Sequence, residues 1–286
     1  MRRRLIVASR PLHGLGNRVR LVLSGQVLAL AEDREFAYYW PVGRGFGARL
    51  TDLWEYRASL PAAVDVALRA VAPFRDPATL LADPAAKDLP IWHLRSGSAL
   101  PLPPGVGPWY ESFADLPLRP ALADAVRSLH AREFGSAPYV GVMVRAHQNA
   151  HDLTKLHSPL SWYVGRMREL VAEHGDLRFY LSCDTAEAEG ELRRLFPGSV
   201  SLPKTGGYNT RQAIVEAVTD TYLLASSSHI LGPHHSSFPE LAHLLTLRQV
   251  PLETSVGESY AEVRPQLALS IATDPVTPRH RTPVGV

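Results

Sequence analysis

The stretch PYVGVMVRA, residues 138–146, is a nearly continuous apolar run, and it constrains the fold more than any other part of the chain. Runs of this kind are typical of strands that a parallel sheet buries on both faces. Helix-like and strand-like segments alternate after it: PLSWYVGRMRELVAEHG, LRFYLSCD, TAEAEGELRRLF, SVSLP, NTRQAIVEAVTDTYLLASS and HILGP. This alternation predicts an α/β protein whose parallel sheets are joined by right-handed crossovers.

The first half of the chain shows the same order of elements less regularly. A short apolar strand at residues 5–8 precedes a helix at about 17–31, and REFAYYWPV supplies a second strand. Prolines crowd residues 100–120, which indicates a loop or a domain connection. We therefore predict two Rossmann-like halves that face each other across a cleft. Their expected limits are 1–135 and 136–270, followed by an irregular tail at 271–286.

Composition and charge exclude several classes of protein. The 286 residues include 30 basic and 28 acidic side chains, so no basic field points to nucleic acid. Cys183 is the sole cysteine, which rules out an intrachain disulfide and fits a reducing compartment. The opening apolar run is too short for a signal peptide, and no run approaches the ~18–20 apolar residues that span a bilayer. We expect a cytoplasmic protein without nucleic-acid or integral membrane contacts.

The turn HGLGNR lies between the first predicted strand and the first predicted helix. Its glycines, Gly14 and Gly16, allow the backbone to approach a ligand closely, and the helix N-terminus offers N–H groups to an anion. The turn lacks the lysine and the Ser/Thr of a Walker loop. Two simpler interpretations stay open: the glycines solve a backbone problem, and Asn17 caps the helix.

Arg145 follows directly on the buried strand, which places a guanidinium at the carboxyl edge of the sheet. A guanidinium at this place suits bidentate contact with phosphate oxygens, and the alternative is an ion pair with a carboxylate. His147, His151 and Asp152 come next along the chain. No third convergent ligand can be named with the two histidines, so we expect no metal site.

Two further turns carry polar side chains. Asp184 ends a strand and is either a helix cap or a ligand-facing carboxylate. Asp220 interrupts the apolar face of a helix, where a buried charge needs partners. His235, Ser236 and Ser237 stand at a helix start, where hydroxyls and free N–H groups form a phosphate-binding nook unless Ser236 is a plain N-cap. Taken together, the four turns offer the donors that a diphosphate needs.

The order and spacing of these pieces resemble the fucosyltransferase superfamily, which includes the protein O-fucosyltransferases and the rhizobial nodulation and core α-1,6-fucosyltransferases. The GxGN-type first turn of that superfamily is matched by Gly14-Leu15-Gly16-Asn17-Arg18, and its strand ending in WP is matched by residues 38–41. A following D-L-F/W sequence is matched by residues 52–54. Its H-x-R strand end is matched in part by residues 143–146, and its A-x-x-D helix followed by S-S-F by residues 217–238.

The resemblance implies an inverting, metal-independent glycosyltransferase that uses a GDP-sugar donor, usually GDP-fucose, and needs no prosthetic group. The implied acceptor is a small molecule or a glycan, bound on the side of residues 1–135, and residues 136–270 hold the donor. The resemblance also implies a compact bacterial enzyme. It places the first turn beside the nucleotide-sugar, Arg145 on the β-phosphate and Asp220 on the guanine. Ser236, Ser237 and Phe238 would contact the phosphates and the base, with Asp184 and His235 nearby.

This sequence departs from the superfamily pattern at three positions. Met143 replaces the motif histidine at a nucleotide contact, Ala146 replaces a frequent second arginine, and Gln148 replaces an acid. These changes leave the identity of the sugar open. They also leave open two alternatives: a degenerate, non-catalytic nucleotide-sugar-binding protein, and a transferase that uses a UDP- or dTDP-sugar. The candidates for the general base are His147, His151, Asp152 and His13.

Overall fold

A computed structural model describes residues 3–148, 150–256 and 265–284 of the chain, which separates into two compact units. The first unit runs to Arg119 and also includes Thr205–Val215, and the second unit comprises Pro120–Lys204 and the chain from Glu216 onward. In the described residues no helix is both long and apolar enough to cross a membrane.

The first unit is built on a three-stranded parallel sheet with the order β2-β1-β3. Its strand β1 is central, and four of the five β1 residues are buried. The elements of this unit are β1 Arg4–Ala8, α1 Leu15–Ala31, β2 Glu35–Tyr39, α2 Leu50–Leu53, α3 Ala62–Val71, α4 Pro77–Ala82, a 3₁₀ helix Pro84–Asp88, β3 Ile91–Leu94 and α5 Trp109–Ala114.

The second unit is built on a five-stranded parallel sheet with the order β6-β5-β4-β7-β8. All six residues of β4 are buried, as its continuous apolar run predicts. Its elements are α6 Pro120–Glu133, β4 Tyr139–Val144, α7 Asp152–His157, α8 Leu160–His174, β5 Arg178–Cys183, α9 Ala186–Leu195, β6 Val200–Ser201, α10 Arg211–Ser226 (which begins in the Thr205–Val215 segment), β7 His229–Leu231, α11 Ser237–Leu245, β8 Leu252–Glu253, β9 Ser270–Ala272 and β10 Arg281–Pro283.

The core of the second unit lies between this sheet and its helices. Val140, Val142 and Val144 of β4 pack in one buried cluster with Met167 and Leu170 of α8. Gly175 is the C-cap of helix α8, and its φ of 74° is in the left-handed region that favours glycine. The predicted α/β class with parallel sheets is confirmed.

The structure differs from the sequence-based limits at three places. Thr205–Val215, predicted to belong to residues 136–270, groups with the first unit. Helix α6, predicted to belong to residues 1–135, groups with the second unit because Arg127 pairs with Asp274 at 2.9 Å and the His130 ring lies 5.8 Å from that of Tyr139. The tail predicted to be irregular from residue 271 contains strand structure, because β9 and β10 pair in antiparallel fashion. Arg281 holds this pair on the sheet unit by donating to the Ser227 carbonyl at 2.7 Å.

Candidate functional site

The five-stranded sheet has a topological switch point between β4 and β7. From β4 the chain steps to β5 and β6 on one side, and it then returns to β7 and β8 on the other side. In open α/β sheets, ligands bind beyond the carboxyl ends of the strands at such a point. The turns that leave β4 and β7 here begin at residues 145 and 232, and they contain four of the predicted site residues, Arg145, His147, His235 and Ser236.

Arg145 and Asp184 form the best-defined part of this edge. The Arg145 side chain is 38% exposed, and its Nε lies 3.6 Å from an Asp184 carboxylate oxygen. The other Asp184 oxygen accepts hydrogen bonds from the backbone N–H groups of Ala146, at 2.7 Å, and His147, at 3.1 Å. Asp184 therefore fixes the turn that carries Arg145. It does not cap α9, because the Thr185 side chain takes that position.

Histidines line the same edge. The rings of His151 and His235 lie 4.2 Å apart between centroids, and His234 is the next ring at 6.2 Å from His235. His235 adopts a φ of 59°, an uncommon conformation for a residue other than glycine and one that clusters at functional sites. Partial burial lowers the pKa of His235, and the neighbouring His151 and His234 lower it further. The described residues contain no group of three or more metal-ligating side chains suited to a metal ion.

A hydrogen bond fixes the tautomer of His151 at this edge, and the Asp152 carboxylate is exposed to solvent. The Nδ1 atom of His151 accepts the Leu153 N–H at 3.2 Å, so the neutral ring carries its proton on Nε2 and acts there as a donor. The Asp152 carboxylate is exposed to solvent and lies 3.7 Å from Lys155. Asp152 is therefore available as a base, whereas neutral His151 is a hydrogen-bond donor.

Ser236 takes the helix-capping position at the start of α11, which is the simpler of the two interpretations of the HHSSF stretch. Ser236 is the N-cap, and its Oγ faces the Phe238 N–H at 3.5 Å. Ser237 and Phe238 are half-buried in the first turn of the helix. The capping role is weak at this distance, so the first turn retains N–H groups for an anion.

The placement of Asp220 and Met143 corrects two expectations. Asp220 is 3% exposed, accepts hydrogen bonds from the hydroxyls of Tyr180 and Ser182 at 2.5 and 2.8 Å, and forms an ion pair with Lys204. Its carboxylate is thus satisfied by the protein itself rather than open to a guanine. Met143 is buried within β4, so its side chain is part of the core instead of a nucleotide contact.

In the first unit, the predicted glycine turn begins α1. The helix starts at Leu15 with Gly14 as its N-cap, and no side chain caps it, so Asn17 does not have a capping role. The turn follows β1, which the sheet order places beside β3 on the side opposite β2. The turn therefore stands at the carboxyl end of a central strand, with Gly14, Leu15, Gly16 and Asn17 in the first turn of the helix.

Arg18, predicted to contact the nucleotide-sugar, has a structural role instead. It is fully buried, and its guanidinium donates to the carbonyls of His13 at 2.7 Å, Pro41 at 2.8 Å and Pro11 at 2.9 Å. The guanidinium also stacks over Phe46 at 4.1 Å. Burial lowers its pKa to about 10, which leaves the side chain charged at neutral pH. Arg18 therefore holds the turn in place.

Several residues that the structure groups together were not predicted from the sequence. Lys204, Tyr180 and Ser182 contact the Asp220 carboxylate. Tyr180 and Ser182 are two residues apart on a strand and therefore share a face, which is the sequence pattern that could have indicated this grouping. The positive charges of Arg10 and Arg95 lie close enough to His13, which precedes the first turn of α1, to add to the lowering of its pKa by burial. A cavity of about 520 Å³ in the first unit is lined by Thr51, Trp54, Glu55, Tyr56, Arg57 and Arg119.

Comparison with known proteins identifies the fold. No protein-family model matches the chain, and no curated protein matches its sequence. Among solved structures, the chain is similar to NodZ α-1,6-fucosyltransferase soaked with GDP-fucose, at 19% identity and a TM-score of 0.63, covering 91% of this chain and 97% of that one. A NodZ structure from Bradyrhizobium matches at 17% identity and a TM-score of 0.64, with the same two coverages.

A third solved structure widens the comparison. POFUT1 in complex with GDP matches at 13% identity and a TM-score of 0.55, covering 89% of this chain and 98% of that one. The motif resemblance is thus confirmed at the level of fold. This chain has the fold of solved fucosyltransferases.

Proposed function

We propose that this protein is a glycosyltransferase that moves fucose or a related sugar from a GDP-sugar to a small-molecule or glycan acceptor. The observation that carries the proposal is Arg145, whose guanidinium stands at the switch point on a turn fixed by Asp184. The shared fold supports it, because the similar NodZ and POFUT1 structures were solved with GDP-fucose or GDP. A guanidinium at this place is suited to a diphosphate.

Arg145 serves the reaction by stabilising the leaving group. Negative charge grows on the diphosphate as the glycosidic bond breaks, and a positioned cation there lowers the barrier. The His151 Nε2–H and the first turn of α11 supply further donors at the same edge. These groups give the proposed enzyme a route that needs no metal ion.

Transfer with inversion requires a base for the acceptor hydroxyl. His13 and His151 each use Nδ1 to accept a backbone N–H, from Arg10 and Leu153, so their neutral rings present a proton rather than a lone pair at Nε2. We propose His147 or the exposed Asp152 as the base. Loss of the base costs about 10²–10⁴-fold in rate, so comparing turnover of His147→Ala and Asp152→Asn identifies it.

The test of the donor is a calorimetric titration of the full chain with GDP, UDP and dTDP in the presence of EDTA. GDP is expected to bind most tightly of the three. Arg145→Gln is expected to weaken GDP binding at least tenfold. Arg168→Gln, at an exposed position of α8, is the control and should leave the GDP affinity unchanged. Tighter binding of UDP or dTDP would assign the donor to another nucleotide. Failure of all three to bind overturns the proposal.

Turnover separates the enzyme from a non-catalytic binding protein, the alternative suggested by Met143 and Ala146. GDP-fucose and other GDP-sugars are incubated with the protein, and released GDP is measured. Release above that of Arg145→Gln supports the enzyme. In addition, an inverting reaction yields a first-formed sugar product whose anomeric configuration is opposite to that of the donor.

A further inference from the structure

Basic side chains gather at the carboxyl edge of the first unit's sheet. Strands β1 and β3 pair in parallel up to Val7 and Leu94, so the residues that follow them leave the sheet side by side. Arg10 and His13 follow β1, and Arg95 follows β3 directly. The two chain segments touch, because a Cβ built on Gly97 would lie 3.3 Å from His13 Nε2.

The three side chains carry N–H donors. The Arg95 guanidinium stacks on the Phe74 ring at 3.7 Å, and its Nε is buried without a hydrogen-bond partner. His13 Nδ1 accepts the Arg10 N–H at 3.3 Å, which leaves Nε2–H as a donor on the neutral ring. Burial and then the nearby Arg69 lower the pKa of Arg95, whereas the nearby acid, Asp65, raises it. One carboxylate oxygen of Asp65 is paired with Arg69.

The electrostatics agree with this geometry. Burial lowers the pKa of His13, and the positive charges of Arg10, Arg18 and Arg95 lower it further. Arg18 is committed to backbone carbonyls and gives no hydrogen bond to a ligand. Arg10 and Arg95 thus form an excess of positive charge that a bound anion would neutralise, and a stacked guanidinium offers its edge for bidentate contact.

We propose that Arg10, His13 and Arg95 form a binding site for a carboxylate or phosphate group carried by the acceptor. This inference rests on the proposed function, in which Arg145 and α11 of the second unit take the diphosphate of the donor. It narrows the acceptor to anionic molecules, such as an acidic sugar or a phosphorylated compound. The donor diphosphate is the other source of the same chemistry, and the test separates the two.

The test is a titration of the full chain with inorganic phosphate at constant ionic strength, followed by the amide NMR signals of Ser96, Gly97 and the 14–17 turn. Phosphate is expected to shift these signals saturably, and to do so equally with saturating GDP present. We expect each of two variants, Arg95→Gln and Arg10→Gln, to weaken phosphate binding at least fivefold. The matched control is Arg4→Gln, at the opposite end of β1, where the side chain pairs with Glu35.

Several other outcomes overturn the inference. Signals that do not shift, or equal weakening in Arg4→Gln, show that no anion site is present. Displacement of phosphate by GDP assigns the cations to the donor instead of the acceptor. Arg10 is exposed, so its variant keeps the test valid if Arg95→Gln does not fold. GDP binding without phosphate binding would refute this inference alone, whereas phosphate binding without any nucleotide binding would refute the proposed function.

Discussion

The Asp184 carboxylate accepts the backbone N–H of Ala146 at 2.7 Å, which ties the end of β5 to the turn that leaves β4. The same oxygen also accepts the His147 N–H at 3.1 Å. The neighbouring oxygen faces Arg145. One carboxylate therefore sets both the backbone path of this turn and the electrostatic surroundings of its guanidinium.

Two substitutions at Asp184 separate these roles. Asp184→Asn retains an oxygen that can accept both N–H groups, whereas Asp184→Ala leaves them without an acceptor and is expected to cost about 1–3 kcal/mol in the free energy of unfolding. We expect Asp184→Ala to weaken GDP binding about tenfold, because the turn no longer positions Arg145. Asp184→Asn should bind GDP with nearly the affinity of the unmodified protein. Urea unfolding and GDP calorimetry measure both. Equal GDP affinity in Asp184→Ala would show that the turn needs no such support.

The buried guanidinium of Arg18 gives a prediction for folding. Arg18→Ala strands the carbonyls of His13, Pro11 and Pro41 and is expected to destabilise the protein by at least about 3 kcal/mol. Arg18→Lys is expected to recover little, because an ammonium group lacks the planar fork that reaches these acceptors. Urea unfolding tests this, with Arg4→Ala on the surface as the control. A stable Arg18→Ala variant that has lost only GDP binding would restore the ligand role predicted from the sequence.

The strands and helices were predictable because their signals are local. The apolar run of β4 and the periodic helices after it fix the class of the fold, and a single sequence contains that information. The limit between the units was not predictable. It depends on Arg127 meeting Asp274, two residues far apart in the chain.

The position of the candidate site was predictable, but the structural role of each of its residues was less so. Strand-to-helix turns are where α/β sheets bind ligands, so Arg145 and Asp184 could be selected from their places alone. The sequence could not show that Arg18 binds carbonyls of the preceding loop, since this depends on the path of residues 10–13 and 41. Likewise, nothing in HHSS requires the left-handed backbone of His235.

A buried histidine predicts how stability depends on pH. Burial lowers the pKa of His130, although Asp274 opposes this effect, and the His130 Nε2 is buried without a hydrogen-bond partner. The unfolded chain, with a histidine pKa of about 6.5, then binds a proton at a higher pH than the folded chain does. The contribution of His130 is therefore complete above about pH 6.5 and is lost as the pH falls through the lowered value.

His130→Phe should make this acid loss shallower, because phenylalanine keeps the contacts with Phe134 and Tyr139 and carries no proton. The measurement is the free energy of unfolding in urea at a series of pH values between neutral and mildly acidic. His280→Phe, at an exposed position, is the control and should leave the slope unchanged. An unaltered slope in His130→Phe would mean that other buried histidines, such as His243, dominate the acid limb.

The ion pair of Asp220 and Lys204 yields the prediction that separates an internal role from a ligand role. Lys204 is 31% exposed and Asp220 is almost fully buried, so removing either partner has unequal effects. Asp220→Ala leaves the Tyr180 and Ser182 hydroxyls without their acceptor, whereas the partly exposed Lys204 ammonium stays hydrated, and we expect it to cost about 1–3 kcal/mol. Lys204→Met should cost more, about 3–5 kcal/mol, because it leaves the buried carboxylate without its counter-ion even though the two hydroxyls still bind it.

The double variant Lys204→Met with Asp220→Asn completes the argument. The neutral amide of Asn at position 220 can accept one of these two hydroxyls on its oxygen and donate from its NH2 group to the other, so no charge is left unpaired and the double variant should be more stable in urea than Asp220→Ala. If Asp220 has this internal role, the double variant keeps its preference for GDP over UDP in calorimetric competition. A stable double variant that binds the two nucleotides equally would instead assign the carboxylate to guanine, as the motif resemblance implies, and would require Lys204 to move aside when the nucleotide binds.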